Sequence, residues 1–213
     1  MKKLLVLAGI VGVVAIIVTV LGCSGDKPAS PLEQKVSDMV DHNSGVTNYA
    51  LATQLKREYG GEAIPVMLEY AYKMKPREKG FGAQYAYVAV LIQIEAEPAR
   101  LNACKTLIFG DDKHPRIQEV PARSIAVEGL CFAKSTEEGL KIAIGLAKDS
   151  QDNQVKAISL RAIADSKVSS FGGKHDAEIC AILRKAAASD PDQTVREHAQ
   201  RGIDRRRKAG GCR

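Results

Sequence analysis

The side chains in this 213-residue sequence with reactive or ion-binding capacity are four histidines, five cysteines, one Gly-Gly-Lys run and a terminal cluster of arginines. His42, His114, His175 and His198 lie on four separate segments, none with a second ligand at metal spacing. A zinc site draws three or four convergent ligands, so no metal is expected. Gly172-Gly173-Lys174 is followed by His175 and lacks both the Ser or Thr that would hold magnesium and the first glycine of a phosphate loop. No Gly-x-Ser-x-Gly run occurs, and no histidine is placed by the sequence as a base for a serine or cysteine. No catalytic residue, cofactor or small-molecule substrate is therefore assigned.

The first cysteine has a different context. Met1-Lys2-Lys3 is a short positive segment, residues 4–22 carry no charge, and Cys23 follows. This is the layout of a secretory signal. The end of the run, Val20-Leu21-Gly22-Cys23, resembles the bacterial lipoprotein signal box. The resemblance implies cleavage after residue 22, diacylation of the Cys23 thiol and acylation of the new N-terminus. It also implies a location on the cell membrane or outer membrane, facing the periplasm or exterior, and Ser24 after the cysteine favours the outer membrane by family analogy. An uncleaved signal anchor is the competing reading, because 19 uncharged residues are about enough to span hydrocarbon. In both, Lys2 and Lys3 stay inside and the rest lies outside the cytoplasm. Residues 23–31 hold two prolines and no large apolar residue, and read as a tether.

An extracytoplasmic compartment is oxidising, and four cysteines remain. Cys104 and Cys131 fall on paired helices at levels that differ by roughly 10 Å at 1.5 Å per residue, too far for a bridge and suited to small buried hydrophobes. Cys180 and Cys212 are better matched, because the glycine-rich tail of residues 209–213 can fold back on the preceding helix. A Cys180–Cys212 disulfide and a pair of free thiols both remain open.

The net charge of +6 is local. Residues 196–213 carry seven basic and two acidic side chains, whereas residues 23–195 sum to −1. With only ten Phe and Tyr and no basic face along the chain, nucleic acid is not expected as a partner. Arg205-Arg206-Arg207-Lys208 closes the last helix. One account is favourable charge against the helix C-terminal dipole. The other is a docking point for anionic lipid head groups, lipopolysaccharide or an acidic protein, extended by Arg196 and Arg201.

Residues 32–208 repeat apolar side chains at helical spacing with almost no strand-like alternation, which predicts an all-α domain. The clearest stripes are Ile64, Met67, Leu68, Ala71; Ala83, Ala86, Tyr87, Val90, Leu91, Ile94; Ala122, Ile125, Ala126, Gly129, Leu130; and Ile179, Ile182, Leu183, Ala186, Ala187. Ser135-Thr136-Glu137-Glu138 and Asp190-Pro191-Asp192-Gln193 read as helix starts, the second with proline at the first helical position. Pro98 and Pro121 read as first-turn prolines.

The helices recur. Ala122-Ala126-Leu130, Val155-Ser159-Ile163 and Val195-Ala199-Ile203 stand 33 and 40 residues apart, with a looser copy at Ala83-Tyr87-Leu91. Each copy is preceded by another helix, at about 62–74, 97–109, 136–148 and 176–189. Four helix pairs at a period near 38 predict a short α-solenoid. The last unit, with Asp190-Pro191-Asp192, Val195-Arg196, Ala199 and Ile203, resembles a HEAT repeat of the phycobilisome-lyase type, whose hallmark is an acid in the turn and Val-Arg opening the second helix. Asp152 and Val155-Lys156 keep most of that pattern, Ala122-Arg123 keeps the base, and the first pair lacks both acid and Arg.

The expected organisation is a signal peptide at 1–22, a lipidated tether at 23–31, an N-terminal helical cap at 32–59, the repeat domain at 60–208 and a tail at 209–213. The expected function is that of a non-enzymatic interaction scaffold in the bacterial envelope, held to the membrane by its lipid and binding another envelope protein. Binding of anionic surfaces through the basic end is the alternative, and a lyase-like enzyme, implied by the family resemblance alone, a more distant one.

Overall fold

A computed structural model describes residues 29–131, 136–166 and 170–212 of the chain. Cys23, the apolar run at 4–22, the tether through Pro28 and Ser135 lie outside the described residues. Residues 31–213 form one compact unit.

Among the described residues the regular structure is helical, with one isolated bridge between Val40 and Thr47. The helices are α1 (Pro31–Asp38), α2 (Tyr49–Glu58), α3 (Ala63–Lys73), α4 (Ala83–Leu91), α5 (Ala99–Phe109), α6 (Val120–Leu130), α7 (Glu137–Asp149), α8 (Asn153–Asp165), α9 (Asp176–Ser189) and α10 (Gln193–Lys208). Pro31, placed in the tether by composition, is the first residue of α1. A 3-10 turn, Gly60–Glu62, leads into α3, and another, Ser170–Gly173, precedes α9.

Local chemistry sets the starts. The Asn48 side chain accepts from the Leu51 N–H, Thr136 from Gly139, Asp152 from Gln154 and Val155, and Asp192 from Val195. Each supplies an acceptor to first-turn N–H groups that have no partner inside the helix. The α7 cap is thus Thr136, not Ser135. Asp190 closes α9 and Asp192 caps α10, so Pro191 lies in the turn between them rather than in the first helical turn. Pro98 likewise stands outside α5, at its cap and after a cis peptide bond, while Pro121 is in the first turn of α6. The stripe expected to reach Ile94 leaves helical geometry after Leu91, and Ile94 is buried in the following turn.

The helices pair as α3–α4, α5–α6, α7–α8 and α9–α10, behind an N-terminal cap in which α1 packs on α2 and α3. The second helices α4, α6, α8 and α10 also pack directly on one another, giving a solenoid-like stack. That stacking buries α4 almost all round: Ala83, Ala86, Tyr87, Val88, Val90 and Leu91 are all core. Small residues permit the approach. A Cβ on Gly202 of α10 would fall 2.9 Å from Leu183 and 3.0 Å from Ala164, closer than side-chain packing allows. The first helices α7 and α9 touch only lightly. The layers are therefore tight along the second helices and open between α7 and α9.

Candidate functional site: a groove between stacked hairpins

The opening between α7 and α9 is a groove of about 560 Å³, within the 300–1,000 Å³ typical of ligand sites. Its apolar floor comes from Ala147 at the end of α7 and from Ala181, Ile182 and Ala186 on α9. The i, i+4 spacing of Ile182 and Ala186 puts both on one side of α9.

Charged side chains rim it. Lys148 Nζ meets Glu178 Oε1 at 2.6 Å and Lys156 Nζ meets Asp190 Oδ2 at 2.6 Å. The hydrogen bond to Glu178 raises the Lys148 pKa, and that to Lys148 lowers the Glu178 pKa. Burial opposes ionisation of Asp190, but its bonds to Lys156 and the Asp192 N–H, with the charges of Lys156 and Arg196, hold it below the usual carboxylate range. Lys185 and Asp149 also line the groove and make no ion pair among the described residues. The site thus offers an apolar floor, two fixed ion pairs and two further charges of opposite sign, Lys185 and Asp149.

The Lys156–Asp190 pair is one rung of a ladder that explains the spacing seen in the sequence. The residue after each repeat's opening Ala or Val reaches the turn of the next hairpin. Arg123, after Ala122, donates to Asp152 at 2.6 Å as Lys156, after Val155, reaches Asp190, and Asn153 at the start of α8 adds a bond to Asp192 at 3.0 Å. In the first pair Gln84 holds this position: it donates to the Met74 carbonyl at 2.9 Å and accepts from the Glu119 N–H, while Glu119 accepts from the Gly82 N–H. The arginine expected to be missing there is replaced by a neutral amide, which meets the buried Glu119 at the start of α6. Its signal in the sequence was position alone, Gln84 after Ala83 as Arg123 follows Ala122. Arg196, on the last described hairpin, donates to the Asp190 and Pro191 carbonyls.

The basic end is a cationic surface only in part. Arg206 is 0 % exposed. It donates to the Ile163 and Ser166 carbonyls, each at 3.0 Å, and to Asp176 at 2.6 Å, joining the end of α8 to the start of α9. Burial lowers its pKa while Asp176 supports the charge. Arg100, also 0 % exposed, stands at the α4–α5 junction two layers earlier, bonding Glu97 and the Ile92 carbonyl. Arg205 holds Asp165 through both carboxylate oxygens, at 2.6 and 2.7 Å, and Arg201 bonds Glu197. Of the six cations assigned from sequence to an anionic surface, Arg206 is buried and Arg196, Arg201 and Arg205 are engaged. Arg207 and Lys208 are exposed. Helical periodicity explains the correction: a run of four basic residues must turn one of them inward.

Cys180 and Cys212 are joined in a disulfide with Cα atoms 5.2 Å apart, which brings the tail onto α9. Cys104 and Cys131 are free thiols, each pushed by burial to a pKa of about 12. His42 bonds Tyr87, His114 bonds Glu69, and His175 bonds Glu137, while His198 lies near Arg201, Arg161 and Arg205 with its pKa lowered chiefly by burial. Among the described residues no three His, Cys, Asp or Glu side chains converge as metal ligands, and no helix is long and apolar enough to cross a membrane. No protein-family model, curated protein or solved structure matches this chain.

Proposed function

We propose that this chain is a lipid-anchored, non-enzymatic interaction scaffold of the bacterial envelope, and that the groove between α7 and α9 receives a segment of a partner protein. One observation carries the reading: an apolar floor with a charged rim, opened between two stacked hairpins and held by the Lys148–Glu178 and Lys156–Asp190 pairs. Interface centres are apolar and their rims polar, so this arrangement suits a peptide or helix presenting small apolar side chains between charges. Stacked helices suit the role because each layer supports the next while the open side stays available.

Two experiments test it. Residues 31–213 are used as bait on solubilised bacterial envelopes, as wild type and as Ala181→Arg, which fills the groove from an exposed position. A partner retained at high salt by the wild type and at least tenfold depleted by Ala181→Arg supports the groove; equal capture refutes it. The anchor is tested in the full chain, where Cys23→Ser should move the protein from the membrane to the soluble fraction.

A further inference from the structure

The loop joining α3 to α4 carries features that the groove does not use. Val46 and Phe81 are each 64 % exposed and Tyr49 is 75 % exposed, a concentration of large apolar side chains on one end of the stack. Phe81 follows Lys75, Arg77, Glu78 and Lys79, all exposed, so with the exposed Asp41 of the neighbouring loop three cations stand against two acids.

Two loops are held side by side here. Arg77 donates to the Phe81 carbonyl at 3.1 Å and to the Ser44 carbonyl at 3.4 Å. Gly45, with φ +73°, lies so close that a Cβ would stand 2.8 Å from the Gly82 carbonyl carbon. Only glycine fits both the conformation and the gap. Phe81 rests on Tyr85 with ring centroids 4.5 Å apart, and Tyr49, three residues after Val46, opens α2. Lys75 and Lys79 are exposed and make no ion pair among the described residues.

We propose that this basic and aromatic surface, formed by Lys75, Arg77, Lys79 and Phe81 with Val46 and Tyr49 beside them, docks on an anionic phospholipid bilayer. Rings at the interface and lysines among the head groups are the arrangement by which proteins lie on membranes. Complementary charge selects anionic lipid. The inference rests on the lipid-anchored reading for the presence of a bilayer. Eight residue steps from Cys23 to Pro31 reach at most about 28 Å, so an anchored chain keeps its first helices near the head groups. The anionic-surface contact expected from the C-terminal arginines is thereby assigned to the opposite end of the sequence.

The test uses residues 31–213, the unit that holds the described core, in flotation with vesicles of phosphatidylglycerol and phosphatidylcholine. Binding should require the anionic lipid and weaken with salt. Lys75→Gln with Lys79→Gln should reduce it about thirtyfold and Phe81→Ser about tenfold. Arg207→Gln with Lys208→Gln should leave it unchanged. An environment-sensitive probe on Phe81→Cys should shift to the blue on vesicles, and the same probe on Phe109→Cys should not. Absence of binding, binding indifferent to the lysine and Phe81 changes, or equal loss in the Arg207 and Lys208 variant would overturn the proposal. Because Cys23 is absent from this unit, the result is independent of the Cys23→Ser fractionation that tests the anchor.

Discussion

Replacing Arg206 by alanine removes a guanidinium that no water reaches. Its Nη1 bonds the Ile163 and Ser166 carbonyls at 3.0 Å each, its Nη2 bonds Asp176 at 2.6 Å, and it is 0 % exposed. Truncation leaves two carbonyls at the end of α8 without these donors and a partly buried carboxylate without its counter-charge. Breaking a buried ion pair by removing one partner typically costs about 3–5 kcal/mol, and the cavity left by the aliphatic stem adds to it. A domain of this size has about 5–15 kcal/mol in total. The expected loss is therefore about 4 kcal/mol, or a fall in Tm of roughly 8–16 °C at about 2–4 °C per kcal/mol. The assay is urea unfolding of residues 31–213 followed by far-ultraviolet circular dichroism, with the disulfide intact. Arg207→Ala, one residue on and exposed, is the control and should stay within about 0.5 kcal/mol of wild type. A loss under 1 kcal/mol for Arg206→Ala, or equal losses for both variants, would refute the view that Arg206 is a structural tie rather than part of a binding surface.

Other expectations follow from particular contacts. Cys180→Ser with Cys212→Ser opens a loop of 32 residues and should cost roughly 3–4 kcal/mol on the chain-entropy account, read as a lower urea midpoint than oxidised wild type. Cys104 and Cys131, both near pKa 12 through burial, should resist a thiol reagent at pH 8 in the folded chain and react together once urea unfolds it. Acid should loosen the contact between α7 and α9. Lys174, His175 and Lys141 hold Glu137 down to about 2, and Lys148 lowers Glu178, so their folded pKa values lie below the unfolded ones near 4.5. Their contribution is complete above that value and is lost as pH falls from about 4.5 towards 2. Thermal melts across that range should show a falling Tm, less steep in Glu137→Gln.

Much of the fold was legible because it is written in short-range rules. The apolar stripe of α9, from Ile179 through Ile182, Leu183 and Ala186, gives the buried face of that helix directly. The segments 135–138 and 190–193 announced helix starts, with the caps falling at their second and third residues, Thr136 and Asp192, since an acceptor beside unpaired N–H groups acts within a few residues. The Cys180–Cys212 pairing was a question of reach, and a glycine-rich tail beyond α10 has that reach. What the spacing could not supply was the direction of each side chain across layers.

The sequence by itself determined an all-helical chain, the order of its helix pairs and the recurrence that stacks them, because these depend on periodicity and capping within single segments. Only the tertiary structure decided which cations are surface and which are ties. Arg205, Arg206 and Arg207 are neighbours of one type, yet one pairs with Asp165 on the exterior, one is sealed against Asp176 and one stands in solvent. It also decided that Gln84 does the work of an arginine and that α7 and α9 leave a groove. Each of these depends on what a neighbouring layer presents some 30–40 residues away, and charge and distance across that gap have no expression in local sequence.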